Sequence, residues 1–389
     1  MKSEWKEYSL GELYEVHNGL SKGRKFFGRG YPFLSFSTVF NRYFLPEKLT
    51  DLVESTEKER ETLSIRRGDI FITRTSETYD ELGMSCVALK NYPNATFNGF
   101  TKRLRPHEEG RVLPEFIGYF LRGPQFRRKF EQIANVTTRA SLSNGDLLNM
   151  VVSLPPLPVQ RKIASILSAL DDKIETNNAI CRNLEELLLA FYRNVKYVNE
   201  CVVKELHELA EFSKNKKQIS ELNCQSYFST ENMLPGKAGA VAAESLPTMP
   251  KATACNPGDI LVSNIRPYFK KIVYCSTNCG CSSDVLCFHP KEDIYSTWLF
   301  CSLYEDDFFD YVAAGSKGTK MPRGDKAHIM RYGIDVPPRK KLEEFKSMGN
   351  LVLTQINNLR SENKHLSQLR DSILPMLMNG ELDVDKIEL

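Results

Sequence analysis

The chain has no run of about 18 consecutive apolar residues, which excludes an ordinary membrane-spanning helix. It also has no long polar tract. With 41% hydrophobic and 26% charged residues it has the apolar content to fold, and 389 residues predict two or three cores rather than one. The opening Met1-Lys2-Ser3-Glu4-Trp5-Lys6 lacks the apolar segment of a secretory signal, so the expectation is a cytoplasmic protein whose ten cysteines stay reduced. Cys275, Cys279, Cys281 and Cys287 lie close in sequence, but none forms the C-x2-C pair usual in structural zinc sites; they read as thiols on strands and turns, with no metal. A phosphate-binding G-x-x-x-x-G-K-S/T loop is missing, since Gly315-Ser316-Lys317-Gly318-Thr319-Lys320 has its composition but not its spacing.

A strong net charge is absent too, and +3 decides little. The distribution is more telling. Arg122, Arg127, Arg128, Lys129 and Arg139 fall together, as do Lys317, Lys320, Arg323, Lys326 and Arg331, and both groups are candidate phosphate-facing patches.

What is present is a duplication. Ile163, Leu167, Leu170, Ile174, Cys181, Leu184, Leu188, Phe191 and Val195 repeat at spacings of three and four with Asn177 in the seam, the pattern of a coiled-coil face. A second stripe contains Val352, Ile356, Leu359, Asn363, Leu366 and Ile373. Phe345 follows Ile163 by 182 residues (345 − 163), and Ile356, Leu366, Leu369 and Ile373 follow Ile174, Leu184, Leu187 and Phe191 at the same offset. Each stripe begins after a proline pair, Pro155-Pro156 and Pro337-Pro338, which suits a helix start. Pro375 and Gly380 predict that the second helix kinks or stops there.

Upstream of each helix the same order recurs. A short amphipathic segment (Leu10 and Leu13; Leu206 and Leu209) precedes a Gly-Asp turn that launches a strand, Gly68-Asp69-Ile70 and Gly258-Asp259-Ile260. Strands are predicted at 86–89 and 101–104 with counterparts at 272–275 and 284–288, and a helix near 114–134 with its counterpart near 295–312. The reading is two similar mixed α/β domains, 1–155 and 201–337, separated by two long antiparallel coiled-coil helices, 156–200 and 338–389 with the tail.

Leu154-Pro155-Pro156-Leu157-Pro158-Val159-Gln160-Arg161-Lys162-Ile163-Ala164, followed by Leu170-Asp171-Asp172-Lys173-Ile174, resembles the specificity subunits of type I restriction-modification systems. Asn264-Ile265-Arg266-Pro267-Tyr268 and Leu369-Arg370-Asp371-Ser372-Ile373-Leu374-Pro375 support the likeness, which extends over essentially the whole chain. One departure is Arg339-Lys340-Lys341-Leu342, where a proline-glutamine start is common. The resemblance implies two target-recognition domains, each reading half of a bipartite double-stranded DNA site. It also implies helices that set the half-site spacing and dock two methyltransferase subunits, with restriction/translocase subunits joining them. The chain itself would be non-catalytic. S-adenosylmethionine, ATP and Mg would bind partner subunits, and no Asn/Asp-Pro-Pro-aromatic motif for methyl transfer to adenine occurs here. An interaction scaffold that never touches nucleic acid, or a single-chain enzyme with an unfamiliar site, are the rival readings.

Arg and Lys suit phosphates and guanine, while Asn and Gln suit adenine. The candidate DNA-binding residues follow the matched strands: Arg74, Thr75 and Ser76 in the first copy, Asn264, Arg266, Tyr268, Lys270 and Lys271 in the second. If the second strand continues, Asn264 and Arg266 share a face. The loops before the proline pairs add Thr137, Thr138 and Arg139, and Ser316, Lys317, Thr319 and Lys320.

Overall fold

A computed structural model describes residues 5–76, 82–133, 135, 136, 140–318 and 320–384, with the backbone alone for 76, 131–133, 135, 136, 140 and 141. Two compact units emerge. One takes in Met1–Glu175 and Asn363–Leu389, the other Thr176–Glu362. The division passes through both long helices, so the helices that the sequence sets apart from the domains are shared out between the units.

In the first unit, Leu10–Leu13 is a single helical turn closed by a capping box: the Ser9 amide donates to the Glu12 carboxylate (2.6 Å), and the Glu12 amide to the Ser9 hydroxyl (3.3 Å). Four antiparallel strands follow in the order Tyr14–Asn18, Thr101–Pro106, Ile70–Thr73, Ser85–Val87. The second unit repeats that order with Ala210–Phe212, Val285–Pro290, Ile260–Ser263, Ile272–Tyr274. Registers agree as well, since Ile70 opposes Leu104 and Ile260 opposes Phe288. The expected strands are therefore present, each within a residue or two.

Gly68 and Gly258 stand at φ +87° and +92°, a conformation that glycine adopts without steric cost, and the aspartate after each closes the turn. Asp69 accepts the Arg66 amide (2.7 Å) and Asp259 the Asn256 amide (2.8 Å). Both are wholly buried and need hydrogen-bonding partners. Arg105 grips Asp69 through two nitrogens (2.8 and 2.6 Å), while His289 at the matching position meets Asp259 at 2.6 Å.

The single helix expected in each unit is two. Pro114–Arg122 and Pro124–Ile133 break at Gly123, and Ser296–Tyr304 and Asp306–Ala314 break at Glu305. The long helices run Leu157–Val198 and Arg339–Met378, and the second stops within a turn of Pro375. In the second unit they run antiparallel, with Asn177 donating to Glu362 (2.8 Å) and Phe191 stacked on Phe345 (5.4 Å, 13°). In the first unit Asp171 meets Arg370 (2.7 Å).

Every seam residue is covered. Ile163, Leu167, Asn177, Leu188, Val352, Ile356 and Leu359 are buried, and Leu170, Ile174, Leu184, Phe191, Asn363, Leu366 and Ile373 half-buried. Leu187 and Leu369, which the 182-residue offset pairs, are instead exposed (56% and 48%), so that pair lies off the seam. The stripe does more than zip helices. Ile163 and Leu167 enter the first core with Leu374, Leu377 and Val384, and Leu188 and Phe345 pack in the second with Trp298.

Candidate nucleic-acid interface

In each unit the strand after the Gly-Asp turn runs out beside the loop before the proline pair. Thr75–Ser76 pairs with Ala140–Ser141, which pairs with Asn135–Val136. In the second unit Ile265 bridges Arg323, and Arg323 bridges Lys317. The two groups that the sequence nominates separately thus form one rim per unit.

In the second rim the strand ends at Ser263, so Asn264 and Arg266 do not share a strand face. Arg266 adopts φ +50°, ψ 62°, a left-handed conformation unfavourable for a residue with a Cβ, and leads into the short 3-10 turn Pro267–Phe269. Its amide donates to the Pro322 carbonyl (2.8 Å), and the Gly324 amide donates to the Asn264 carbonyl (3.2 Å). Asn264 Oδ1 and Arg266 Nε are buried with no hydrogen-bond partner among the described residues. Such atoms are costly unless something supplies a partner.

The lysines divide into occupied and open. Lys270 and Lys237 both reach Asp306 (2.8 and 2.7 Å), and their hydrogen bonds hold that carboxyl down at about 2. Lys271 donates to the Thr230 carbonyl, and burial lowers its pKa. Lys317 meets Asp325 at 2.6 Å but is 81% exposed, a surface pair that a phosphate can displace at little cost. Lys320 and Tyr268 are exposed, and the Ser316 hydroxyl donates to the Val312 carbonyl (2.8 Å). Thr319 lies outside the described residues. Arg323, named at first only as part of a basic patch, forms the isolated β-bridges at the centre of this rim and pairs with Asp284 at 3.1 Å.

In the first rim Arg74 and Thr75 are half-buried, and Arg74 Nε has no partner among the described residues. The side chain of Ser76, and Thr137, Thr138 and Arg139 altogether, lie outside the described residues. Lys102 was missed. It is almost fully buried and donates to Asn144, and its pKa is lowered by burial and then by the charge of Arg74. A charged residue within a buried strand was the available signal.

In the first basic patch three of the five cations hold backbone carbonyls, Arg128 is exposed, and Arg139 lies outside the described residues. Arg122 donates to the carbonyls of Ser85, Val39 and Phe40 (2.6 to 2.8 Å), and Lys129 to that of Val151 (2.6 Å). Arg127 donates to the Leu82 carbonyl. Among the described residues no group of three or more His, Cys, Asp or Glu is arranged to hold a metal ion, and no helix is long and apolar enough to cross a membrane.

Residues 2–186 match the type I restriction modification DNA specificity domain. Over 186 residues the chain is 30% identical to the type I restriction enzyme EcoKI specificity subunit of Escherichia coli K12, which takes in 46% of this chain and 40% of that one. It is 26% identical to the HindI specificity subunit of Haemophilus influenzae over 49% of this chain and 40% of that subunit. These two matches span less than half the length of the relatives. Similarity to the MjaIX specificity subunit of Methanocaldococcus jannaschii is lower, 21%, but covers 99% of this chain and 95% of that one. In fold the chain is similar to the crystal structure of the type I restriction-modification system S subunit from M. genitalium, with a TM-score of 0.55 and 13% identity over 96% of each chain. Residues 2–186, just under half of the chain, are therefore similar to the type I restriction modification DNA specificity domain, and the fold similar to that of a type I S subunit extends over both units.

Proposed function

We propose that the chain is the DNA-sequence specificity subunit of a type I restriction-modification enzyme, each unit reading one half of a bipartite target. The observation that carries this is the rim built twice on one strand order, with a buried polar atom that has no hydrogen-bond partner among the described residues at the equivalent positions Arg74 and Asn264. On this reading Arg74, Thr75, Asn264, Arg266 and Arg323 face bases, and Lys317 and Lys320 face phosphates. Lys270 and Lys271 chiefly hold the rim in shape. The paired helices set the spacing between half-sites and dock two methyltransferase subunits, and restriction/translocase subunits join them. The subunit is non-catalytic, and S-adenosylmethionine, ATP and Mg belong to its partners.

The test is co-expression with the methyltransferase subunit and mapping of methylated bases after residues 1–154 are exchanged for those of a related subunit. One half of the methylated sequence should change. A change in both halves overturns the reading of independent domains, and a chain that neither binds DNA nor directs methylation is a scaffold.

A further inference from the structure

Half of the ten cysteines sit in one small core of the second unit. Cys255, Cys275, Cys279, Cys281 and Cys287 are all buried as free thiols and share a cluster with Leu261, Val285 and Met233. Strand register and the Gly-Asp turns place Ile65, Ala88, Ala95, Phe97 and Arg103 at the corresponding positions of the first unit. Ordinary side chains fill that core, so the fold does not require sulfur there.

Cys255 is hydrogen-bonded to the other four thiols, and one further pair is in direct contact beside it. Cys279 Sγ lies 3.4 Å from Cys275 Sγ, at the two ends of the exposed bend Ser276-Thr277-Asn278. We propose that Cys275 and Cys279 are an oxidative modification site, a thiol pair that a peroxide converts to a reversible disulfide in the second unit alone. A disulfide needs its sulfurs about 2.05 Å apart, so forming it requires the two sulfurs to close by a little over 1 Å across the exposed bend. Hydrogen bonds from Cys255 and Cys275 lower the Cys279 pKa, which favours the reactive thiolate there.

The step balances. The Cys279 thiolate attacks one peroxide oxygen, the O–O bond breaks, and the hydroxide released takes up a proton to leave as water. Cys275 sulfur then attacks the resulting sulfenic sulfur, the S–O bond breaks, and the second oxygen leaves as water with the Cys275 proton. Two thiols lose two electrons and the peroxide gains them.

The experiment treats the full chain with hydrogen peroxide, alkylates remaining thiols, and fragments the Ile272–Lys291 peptide. The expected result is loss of two hydrogens between Cys275 and Cys279, with Cys281 and Cys287 alkylated and full reversal by dithiothreitol. The Cys201→Ala/Cys224→Ala variant, which removes the two more exposed thiols, should form the same link. Cys279→Ser should not. Retention of both thiols, a link to another cysteine, or a zinc ion found on the untreated chain and blocking the reaction would overturn the proposal.

Discussion

Asp171 joins the two long helices of the first unit to its globular part: its carboxylate accepts the Arg370 guanidinium at 2.7 Å on one oxygen and the Tyr119 hydroxyl at 2.6 Å on the other. Both acidic and basic partners belong to the short motifs on which the family resemblance rests. Their role in the structure is to lock a helix pair. Arg370 is only 17% exposed and pairs also with Asp371 (2.9 Å), so removing Asp171 leaves a largely covered cation with one of its two counter-charges. Asp171→Asn should lower stability by about 1–3 kcal/mol, and Arg370→Met with Asp171→Asn by less than the two singles added, as a thermal-denaturation double-mutant cycle would show. Additive losses would mean that the pair is not coupled.

Gln160 explains another piece of that motif. Its side chain is buried, accepts the Leu113 amide (2.9 Å) and donates to the Pro155 carbonyl (2.9 Å), which ties the proline pair to the start of the Pro114–Arg122 helix. Gln160→Ala should cost about 1–3 kcal/mol by orphaning both backbone groups, read as a fall in melting temperature of roughly 2–4 °C per kcal/mol. At the matching position of the second unit Leu342 is buried, and there Leu342→Gln should destabilise instead.

The lysines of the second rim should separate in salt titrations on cognate and scrambled duplexes with the methyltransferase partner present. Lys320→Ala should weaken both duplexes alike and reduce the salt slope by about one. Lys271→Met should leave that slope unchanged, because its ammonium is held by Thr230. Arg266→Ala should cost about 1–3 kcal/mol on the cognate duplex and relax specificity at one position. Equal effects on both duplexes would assign Arg266 to phosphate.

Asp306 makes part of the stability acid-sensitive. Lys237 and Lys270 depress its pKa from the ordinary 3.8 to about 2 in the folded chain. Its contribution is therefore complete above about pH 4 and is lost as pH falls through 2. Asp306→Asn should flatten the denaturation midpoint against pH in that window; the effect is small, because the carboxylate is 62% exposed.

Much of this was legible in the sequence for identifiable reasons. Gly-Asp before a β-branched run marks a turn and strand, and proline pairs mark helix starts, so both features fall where expected. The seam was legible in Ile163, Leu167, Ile356 and Leu359, whereas Leu187 and Leu369 fit the repeat but face solvent. The site was less so. Periodicity carries Asn264 and Arg266 along one strand, but nothing in it reports that an arginine before proline turns left-handed. Nor does residue type separate Arg122, which clamps three carbonyls, from a cation facing solvent.

The first unit draws Leu374, Leu377, Met378 and Val384 into a core that otherwise begins at Leu10, whereas the second unit is one uninterrupted stretch of chain. Synthesis and folding therefore run in opposite orders. The unit that contains Leu10 leaves the ribosome earlier but completes its core only when Leu374–Val384 has followed, whereas the other unit is contiguous in sequence. Loss of the segment from Leu374 onward thus damages the unit whose core starts some 360 residues earlier, at Leu10.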